Sequence, residues 1–536
     1  MFVKRDEAAS IKAVVERNTG VAAEVLLQDV RDPFLDHLDE AVQFVKDYVH
    51  SYPGCQVTVV GDYDSDGVNA TSIMYWCFAK MKITPVLRVP RRMSEGYGLS
   101  EKIIDEIPSG LVVTVDNGIA ALSAIKKAKE KGLAVVVTDH HLPVRDDKGI
   151  MILPEADVIL DPHVDGDKSE FKDYCGAAIA YRFAREMFGA KFPELLVLAS
   201  IATVTDVVPL VGANRTLVKD GLGYINKRRV VPGLEELLKK LEKDDHINEG
   251  DYGFLLGPIF NASGRLYDNG AENVVKLLCT KRGDFTAKYK ADKLLATNDR
   301  RKEVVRKCME KIEKEGLVNP DERPIVLYEP SIPEGIVGIV AGRLAEQYYC
   351  PAVVFTDCHK KGVIKGSGRT IPEIHLKNTL DRIKEEMLGY GGHEGAAGLS
   401  IEKGKLEDFR KAFAEACGKI PDPPKDLKYD LELDLNHIPE TADELDVYAP
   451  YGEKNPQVRF HAVFELDPET YRVIGDGTHF MISNKSDTLT LVGFSLSEKY
   501  KALEYPGKIE CVGYLTRSWY KGKDSLKFEI IDFEAA

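Results

Sequence analysis

The sequence has no long hydrophobic run: nothing in its 536 residues approaches the ~18 consecutive apolar residues of a membrane-spanning helix. Its first residues, MFVKRDEAAS, lack the apolar core of a secretory signal. A cytoplasmic protein without membrane contact is therefore expected. The nine cysteines are odd in number, and no two form a CxxC pair. That excludes a disulfide framework or a zinc knuckle as the organising device. Net positive charge is lacking as well. At a formal net charge of -14 no global field draws the protein to a polyanion, so any nucleic-acid contact requires a local basic surface. Internal repeats and low-complexity tracts are also absent.

What remains is the profile of a soluble globular chain, 44% apolar and 29% charged, long enough for roughly three domains. The first 55 residues read as helical, LDEAVQFVKDYVHSY carrying apolar positions at three- and four-residue spacing. The rhythm then changes. Short β-branched runs recur, QVTVV from 56, PVLRV from 85, LVVTV from 111, AVVVT from 134 and DVIL from 157, separated by helical segments such as ALSAIKKAKEKG. Strands alternating with helices predict βαβ units and a parallel sheet covered on both faces. From Asp284 to Glu315 the chain has neither Gly nor Pro and is rich in Lys, Glu, Arg and Ala, which predicts one long solvated helix joining two lobes. A second α/β unit starts near Pro324 and closes with GYGGHEGAAGLSI; beyond the linker IPDPPKDLK a series of strand-like runs predicts a small β barrel or sandwich.

In parallel sheets ligands bind beyond the carboxyl ends of the strands. QVTVV runs into GDYDSDG, LVVTV into DNG and AVVVT into DHH, so three strands deliver Asp62, Asp64, Asp66, Asp116, Asp139, His140 and His141 to one rim. LLVLASIATVTDVVPL adds Asp206 at the end of another apolar run. One acid at a strand end is an ordinary turn residue; three strands ending so point to a divalent metal held by carboxylate and imidazole.

In order along the chain, GDYDSDGVNAT, RRMSEGYGLS, VTVDNG, TDHH, TVTDVVPL, NASGRL, GIVGIVAGRL, GSGRT, GGHEGAAGLSI and APYGEKNP resemble the DHH phosphoesterase superfamily, and within it the RecJ-like branch of single-stranded-DNA exonucleases. The resemblance covers nearly the whole chain. It implies a helical segment over 1–55 packing on the DHH domain, a DHH catalytic domain over 56–283, a connecting helix over 284–318, a DHH-associated α/β domain over 319–420 and an OB-like nucleic-acid-binding domain over 425–536.

It also implies a metal-dependent 5′→3′ exonuclease releasing 5′-mononucleotides from single-stranded DNA in repair or recombination, with two Mn²⁺ or Mg²⁺ ions. Two divalent ions about 3.5 to 4 Å apart clamp an in-line displacement at phosphorus, and hard oxygen ligands suit these metals. By resemblance Asp64 and Asp66 each bind one metal, Asp116 bridges both, and His140 and Asp206 complete the set. Asp62 resembles an extra ligand, where related enzymes use a His; a turn-capping acid is the other reading. His141 resembles a residue contacting the scissile phosphate or assisting the leaving oxygen; the alternative is a neutral His steadying a ligand loop. Asp139 orients a histidine or is a plain turn residue.

Arg265 resembles an Arg facing the scissile phosphate, because a guanidinium grips phosphate oxygens bidentately. Arg92, Ser367 and Arg369 resemble the pocket holding a 5′-terminal phosphate, with Tyr97 placed to stack on a base. His393 resembles the residue by which a Gly-rich loop approaches nucleic acid. Pro333 stands where family members often have His, which leaves substrate preference in that lobe open. Trp519 and Tyr520 are candidate stacking residues of the OB-like region, or ordinary β packing. The implied partner is single-stranded DNA with a 5′ end, supplied by a single-strand-binding protein or a helicase. The competing assignment is a DHH phosphodiesterase for short oligonucleotides or cyclic dinucleotides, which generally lacks the long helix, the NASGRL-like segment and the terminal β module. A scaffold descended from the fold would have lost the ligand acids, which are all present here.

Overall fold

The computed structural model describes residues 1–536 with the exception of 244, 245, 476, 521 and 522, and of the side chains at 520 and 523. Its first lobe is built on a five-stranded sheet ordered Val86–Arg88, Val57–Val60, Leu111–Val115, Ala134–Thr138 and Val158–Leu160, every neighbouring pair parallel. All five β-branched runs are strands. Both faces of the three central strands are buried, which explains why these runs are continuously apolar. Alternate residues serve opposite sides: Val57, Val59, Val113 and Val136 face a large core with the helices Leu38–Ser51, Ser65–Lys80, Gly176–Phe188 and Pro193–Thr205. Val60, Val112, Val135 and Val137 face a smaller one with Glu101–Glu106 and Leu122–Glu130.

The strand order reverses at Val57–Val60, which lies between the second and third strands in sequence. Connections leave this point in opposite directions and open a crevice at the carboxyl ends, the usual ligand position in such sheets. GDYDSDG and DNG stand at its two sides.

The helix Ala287–Lys314 has 28 residues, a length of about 42 Å at 1.5 Å per residue. Its Ala291 and Leu294 belong to the core of the first lobe, whereas Val305 and Ile312 belong to that of the second. One rigid element is thus packed into both lobes. The second lobe's sheet runs Gly389–Gly392, Ala396–Glu402, Val363–Arg369, Ala352–Asp357, Ile325–Tyr328, with only the last pair parallel. The Gly-rich GYGGHEGAAGLSI is the hairpin formed by its first two strands.

The C-terminal module is a closed barrel of Phe460–Ile474, His479–Asn484, Thr490–Gly493, Lys523–Ala535 and Lys508–Tyr520; pairing of Phe460 with Gly513 through Glu465 with Lys508 shuts it. It is tied to the first lobe through the APYGEKNP segment. The buried Arg215 donates from Nη2 to the carbonyls of Val447 (3.2 Å) and Ala449 (2.8 Å), and Leu210 N donates to Glu453 O at 2.8 Å. No helix among the described residues is long and apolar enough to cross a membrane.

The expected single segment 1–55 is divided. Phe2–Lys4 pairs in parallel with Leu427–Tyr429, and Ile11, Val14, Val15, Ala23 and Leu26 complete the barrel core; from about Asp29 onward the chain joins the first lobe, where Val30 N donates to Thr216 Oγ1 at 2.9 Å. Arg17 fastens this arm, its Nη2 at 2.5 Å from the buried Asp430 and its Nη1 at 2.7 Å from Asp6. An apolar stripe records that a helix face is buried, not what buries it. Leu26→Ala should therefore lower the stability of the barrel by about 2–5 kcal/mol and leave the metal-bearing lobe unchanged. In calorimetry the unfolding transition that Mn²⁺ does not raise should move; a shift in the Mn²⁺-responsive transition instead would return the arm to the first lobe.

Candidate active site

The crevice gathers the strand-end residues. Asp62 follows Val57–Val60, Asp64 caps the helix Ser65–Lys80 by accepting from Gly67 N at 3.0 Å, and Asp66 lies in its first turn. Both oxygens of Asp66 are pinned by the N-terminus of Gly176–Phe188, accepting from Gly176 N (2.6 Å) and Ala177 N (2.8 Å). Glycine is required at 176, because a Cβ there would lie 2.5 Å from that of Asp116. Asp116 itself has φ 61, a left-handed conformation uncommon outside glycine and a form of strain found at functional sites. His140 Nε2 is 3.0 Å from Asp116 Oδ1, 3.6 Å from Asp66 Oδ2 and 3.8 Å from Asp206 Oδ2; Asp206 ends the helix Pro193–Thr205.

These side chains form three overlapping groups whose ligand atoms lie within 4.8 Å of one another: Asp62, Asp64, Asp116; Asp66, His140, Asp206; and Asp116, His140, His141. Burial, reinforced by the neighbouring carboxylates, pushes the carboxyls of Asp62, Asp116 and Asp206 well above the usual range, and that of Asp64 upward. His141 and Arg92 offset this only in part. Asp62 Oδ2 is buried without a hydrogen-bond partner, and burial lowers the His140 pKa, favouring the neutral imidazole that ligates metals. The residues fit a divalent cation.

His141 differs from its neighbour. Burial alone would lower its pKa, but the hydrogen bond to Asp139 and the surrounding acids push it up to about 9. Asp139 Oδ1 accepts from His141 Nδ1 at 2.7 Å and from the His140 and His141 amides, while Oδ2 accepts from Ile119 N. Asp139 thus orients His141 rather than serving only a turn. The Tyr97 hydroxyl donates to the carbonyl of Asp116 (2.8 Å) and lies 3.1 Å from His141 Nε2, while its ring remains 47% exposed.

Facing the acids is a basic wall. Arg92 lies 4.6 Å over the Tyr63 ring, and Arg369 Nη1 donates to Ser367 Oγ (3.0 Å) and Gly368 O (2.8 Å). The helix Val337–Tyr348 starts against this pair: a Cβ on Gly338 would lie 3.0 Å from Ser367 Oγ and 3.1 Å from Arg369 Nη2. Arg265, on the helix Gly257–Leu266, is pushed down to about 9 by burial and by Arg92, Arg369 and Arg301. Burial and Arg92 also lower the Arg369 pKa. Among the described residues no carboxylate forms an ion pair with Arg92, Arg265 or Arg369. His393 sits at the hairpin turn, its pKa lowered by partial desolvation and by Arg369, and Pro333 precedes the helix start, its carbonyl accepting from Ile336 N. Trp519 lies apart from this cleft, its face stacked on His246 at 3.6 Å and 12°. The Tyr520 side chain falls outside the described residues.

Several supporting residues escaped the sequence reading. Asn117 cross-links the two strands beside the crevice, donating to Val60 O (3.0 Å) and Val115 O (2.9 Å) and accepting from Leu99 N. Asn261 accepts from Ser65 N at 2.9 Å, joining the NASGRL helix to the acidic loop. Asp268 holds the RRMSEG loop through Met93 N (2.7 Å) and Ser94 Oγ (2.6 Å). Asp161, buried at the tip of Val158–Leu160, obeys the same strand-end rule that exposed the others.

Comparison with known proteins places these features in a family. Family models match in three places: the DHH family N-terminal domain at residues 56–204, the DHHA1 domain at 321–419 and the RecJ OB domain at 429–532. The chain is 31% identical over 522 residues to the single-stranded-DNA-specific exonuclease RecJ of Bacillus subtilis, covering 94% of this chain and 64% of that protein. It is 32% identical over 477 residues to the RecJ of Salmonella typhimurium, covering 82% and 80%. The crystal structure of Thermus thermophilus RecJ in complex with Mn²⁺ superimposes at a TM-score of 0.79 with 25% identity, covering 98% of this chain and 75% of that one. A second structure, of exonuclease RecJ bound to manganese, gives 0.61 at 28% identity, covering 73% and 96%. With its lobes and barrel in the same order, and 32% identity over an alignment that covers 80% of a relative's length, the chain belongs to the RecJ family.

Proposed function

We propose that the protein is a divalent-metal-dependent exonuclease that hydrolyses single-stranded DNA from its 5′ end and releases 5′-mononucleotides. One observation carries this reading: carboxylates and an imidazole in overlapping groups linked through Asp116 and His140 stand opposite guanidinium groups without carboxylate partners. Asp62, Asp64 and Asp116 would hold one ion, and Asp66, Asp116, His140 and Asp206 a second; bound there, Mn²⁺ or Mg²⁺ supplies charge that activates water and stabilises the phosphoryl oxygens. Arg265, fixed against the second lobe by Gly335 O at 3.5 Å, orients the scissile phosphate. His141, held protonated by Asp139, has a proton available for the leaving 3′-oxygen. Tyr97 keeps His141 and the Asp116 backbone in register and offers its ring to a base.

Arg92, Ser367 and Arg369 take the terminal 5′-phosphate, with the first turn of Val337–Tyr348 adding its amide dipoles. This pocket measures one nucleotide from the chain end, and His393 borders it. The cleft between the lobes, spanned by one rigid helix, admits a single strand better than a duplex. The connecting helix, the NASGRL segment and the barrel all favour this reading over a phosphodiesterase for short oligonucleotides or cyclic dinucleotides. Work of this kind belongs to DNA repair or recombination in the cytoplasm, beside a helicase or single-strand-binding protein that supplies unpaired strands.

The test is a time course with Mn²⁺ on single strands labelled at either end, their duplex and a trinucleotide. Stepwise release of mononucleotides from the 5′ end, lost in Asp116→Ala, is expected; cleavage of the trinucleotide alone would move the protein to the small-substrate class. In the same assay Arg369→Ala should raise KM for a 5′-phosphorylated strand roughly 10- to 100-fold, the worth of a charge-assisted bidentate contact. The 5′-hydroxyl strand should be unaffected; equal losses on both ends would refute the pocket.

The crowding of carboxylates sets the pH dependence of the metal-free protein. Asp116 has a folded pKa above its unfolded value, so its contribution is most favourable below about pH 4 and is lost as pH rises toward the folded pKa. Asp116→Asn should thus raise the metal-free Tm by several degrees at pH 8, with the gap closing near pH 4, while Mn²⁺ stabilises the wild type far more than the variant. A variant less stable than the wild type at pH 8 without metal would contradict the electrostatic account.

A further inference from the structure

Residues 207–210 and 249–256 form the strip of the first lobe between the carboxylate cluster and the barrel. It begins at Asp206, at the end of Pro193–Thr205. It ends where Leu210 N donates to Glu453 O at 2.8 Å and the Glu249 carboxylate accepts from Tyr451 N at 2.9 Å. On the exonuclease reading, a strand anchored by its 5′ end in the Arg369 pocket, with its scissile phosphate at the acids, would cross this strip on its way to the barrel. Two large apolar side chains stand open to solvent there: Val207, 65% exposed, and Phe254, 90% exposed.

The backbone holds Phe254 out. Tyr252–Leu256 is a π-helical turn set between Glu249–Asp251 and the helix Gly257–Leu266 that carries Asn261 and Arg265. Such turns are rare and recur at functional sites. Tyr252 and Leu256 point inward, the Tyr252 hydroxyl meeting Ser200 Oγ at 3.2 Å. A Cβ on Gly253 would lie 3.8 Å from Val204, and one on Gly257 2.6 Å from Thr205. The segment therefore grips Pro193–Thr205 with residues 252, 253, 256 and 257 and turns Phe254 to water. The other fully open phenylalanine, Phe285, 92% exposed, lies outside this strip, in a recess with Pro232, Glu235 and Lys288.

We propose that Phe254 is a stacking platform for a nucleobase on the 3′ side of the scissile phosphate, with Val207 extending its apolar surface. The inference rests on the single-strand exonuclease reading and gives that site a base contact that no charged residue supplies. Stacking on a phenyl ring tolerates every base, since all present a π face, so the contact grips the strand without restricting its sequence. Because it forms equally before and during reaction, its loss should appear in KM rather than kcat.

The test uses the full-length protein with Mn²⁺, comparing wild type, Phe254→Ala and Phe254→Tyr. On a long 5′-phosphorylated strand Phe254→Ala should raise KM roughly tenfold, as loss of one stacked base predicts, with kcat and the Mn²⁺-induced rise in Tm unchanged; Phe254→Tyr should retain the wild-type KM. A strand carrying 2-aminopurine at successive positions, bound with Ca²⁺ in place of Mn²⁺, should show a fluorescence quench at one position beyond the cleavage site in the wild type and the Tyr variant only. An unchanged KM and an unchanged quench in Phe254→Ala would overturn the proposal while leaving the exonuclease reading intact. A wild-type protein that releases no nucleotide from the strand would overturn both.

Discussion

Five carboxylates crowded into one crevice cannot all be anions unless cations lie among them. Two like charges 4 Å apart repel by about 4 kcal/mol even at an effective dielectric of 20, and burial of Asp62, Asp66 and Asp116 removes the water that would otherwise screen them. The fold nonetheless forces them together. The reversal of strand order opens the crevice, the amides of Gly176 and Ala177 clamp Asp66, and Asp116 is kept in a left-handed conformation. The apolar cores on both faces of the sheet supply the stability against which this repulsion is held. A divalent cation bound there would relieve this repulsion and so stabilise the lobe as well as serve the chemistry.

The opposite wall carries the complementary imbalance. In a chain with 86 acidic and 72 basic residues, carboxylates to pair with Arg92, Arg265 and Arg369 are plentiful, yet none does so among the described residues. Most other buried or half-buried arginines are neutralised, as Arg17 by Asp6 and Asp430 and Arg88 by Glu95. Unpaired guanidiniums opposite crowded acids give the cleft two walls of opposite charge. The connecting helix fixes the separation of the two walls, because its two halves are embedded in different cores. Geometry that spans two lobes is thus set by packing rather than by the ligand.

Much of this was legible in the sequence. The strand runs are apolar because both of their faces are covered, and their acids lie at the tips because turns and ligands share that edge. Period and position therefore carried the first lobe and its ligand candidates. What escaped depended on contacts between distant segments. The stripe Ile11, Val14, Val15 does not say that its partner is the barrel, and nothing in TDHH tells which histidine Asp139 will grip. Asn117, Asn261 and Asp268 act through backbone groups and leave no pattern. DYGFLLGPIF reads as an ordinary apolar stretch; only the π turn separates its inward residues from Phe254. Trp519 is exposed enough to suggest a platform, but one of its faces is occupied by His246, a pairing between chain segments that composition cannot foretell.

The most direct measurement is an anomalous difference map, collected at the manganese edge, from crystals of the protein grown with Mn²⁺. The account predicts two peaks about 3.5 to 4 Å apart, one against Asp62 and Asp64, the other against Asp66, His140 and Asp206, with Asp116 touching both. A single peak that does not touch Asp116, or density confined to surface carboxylates, would contradict it.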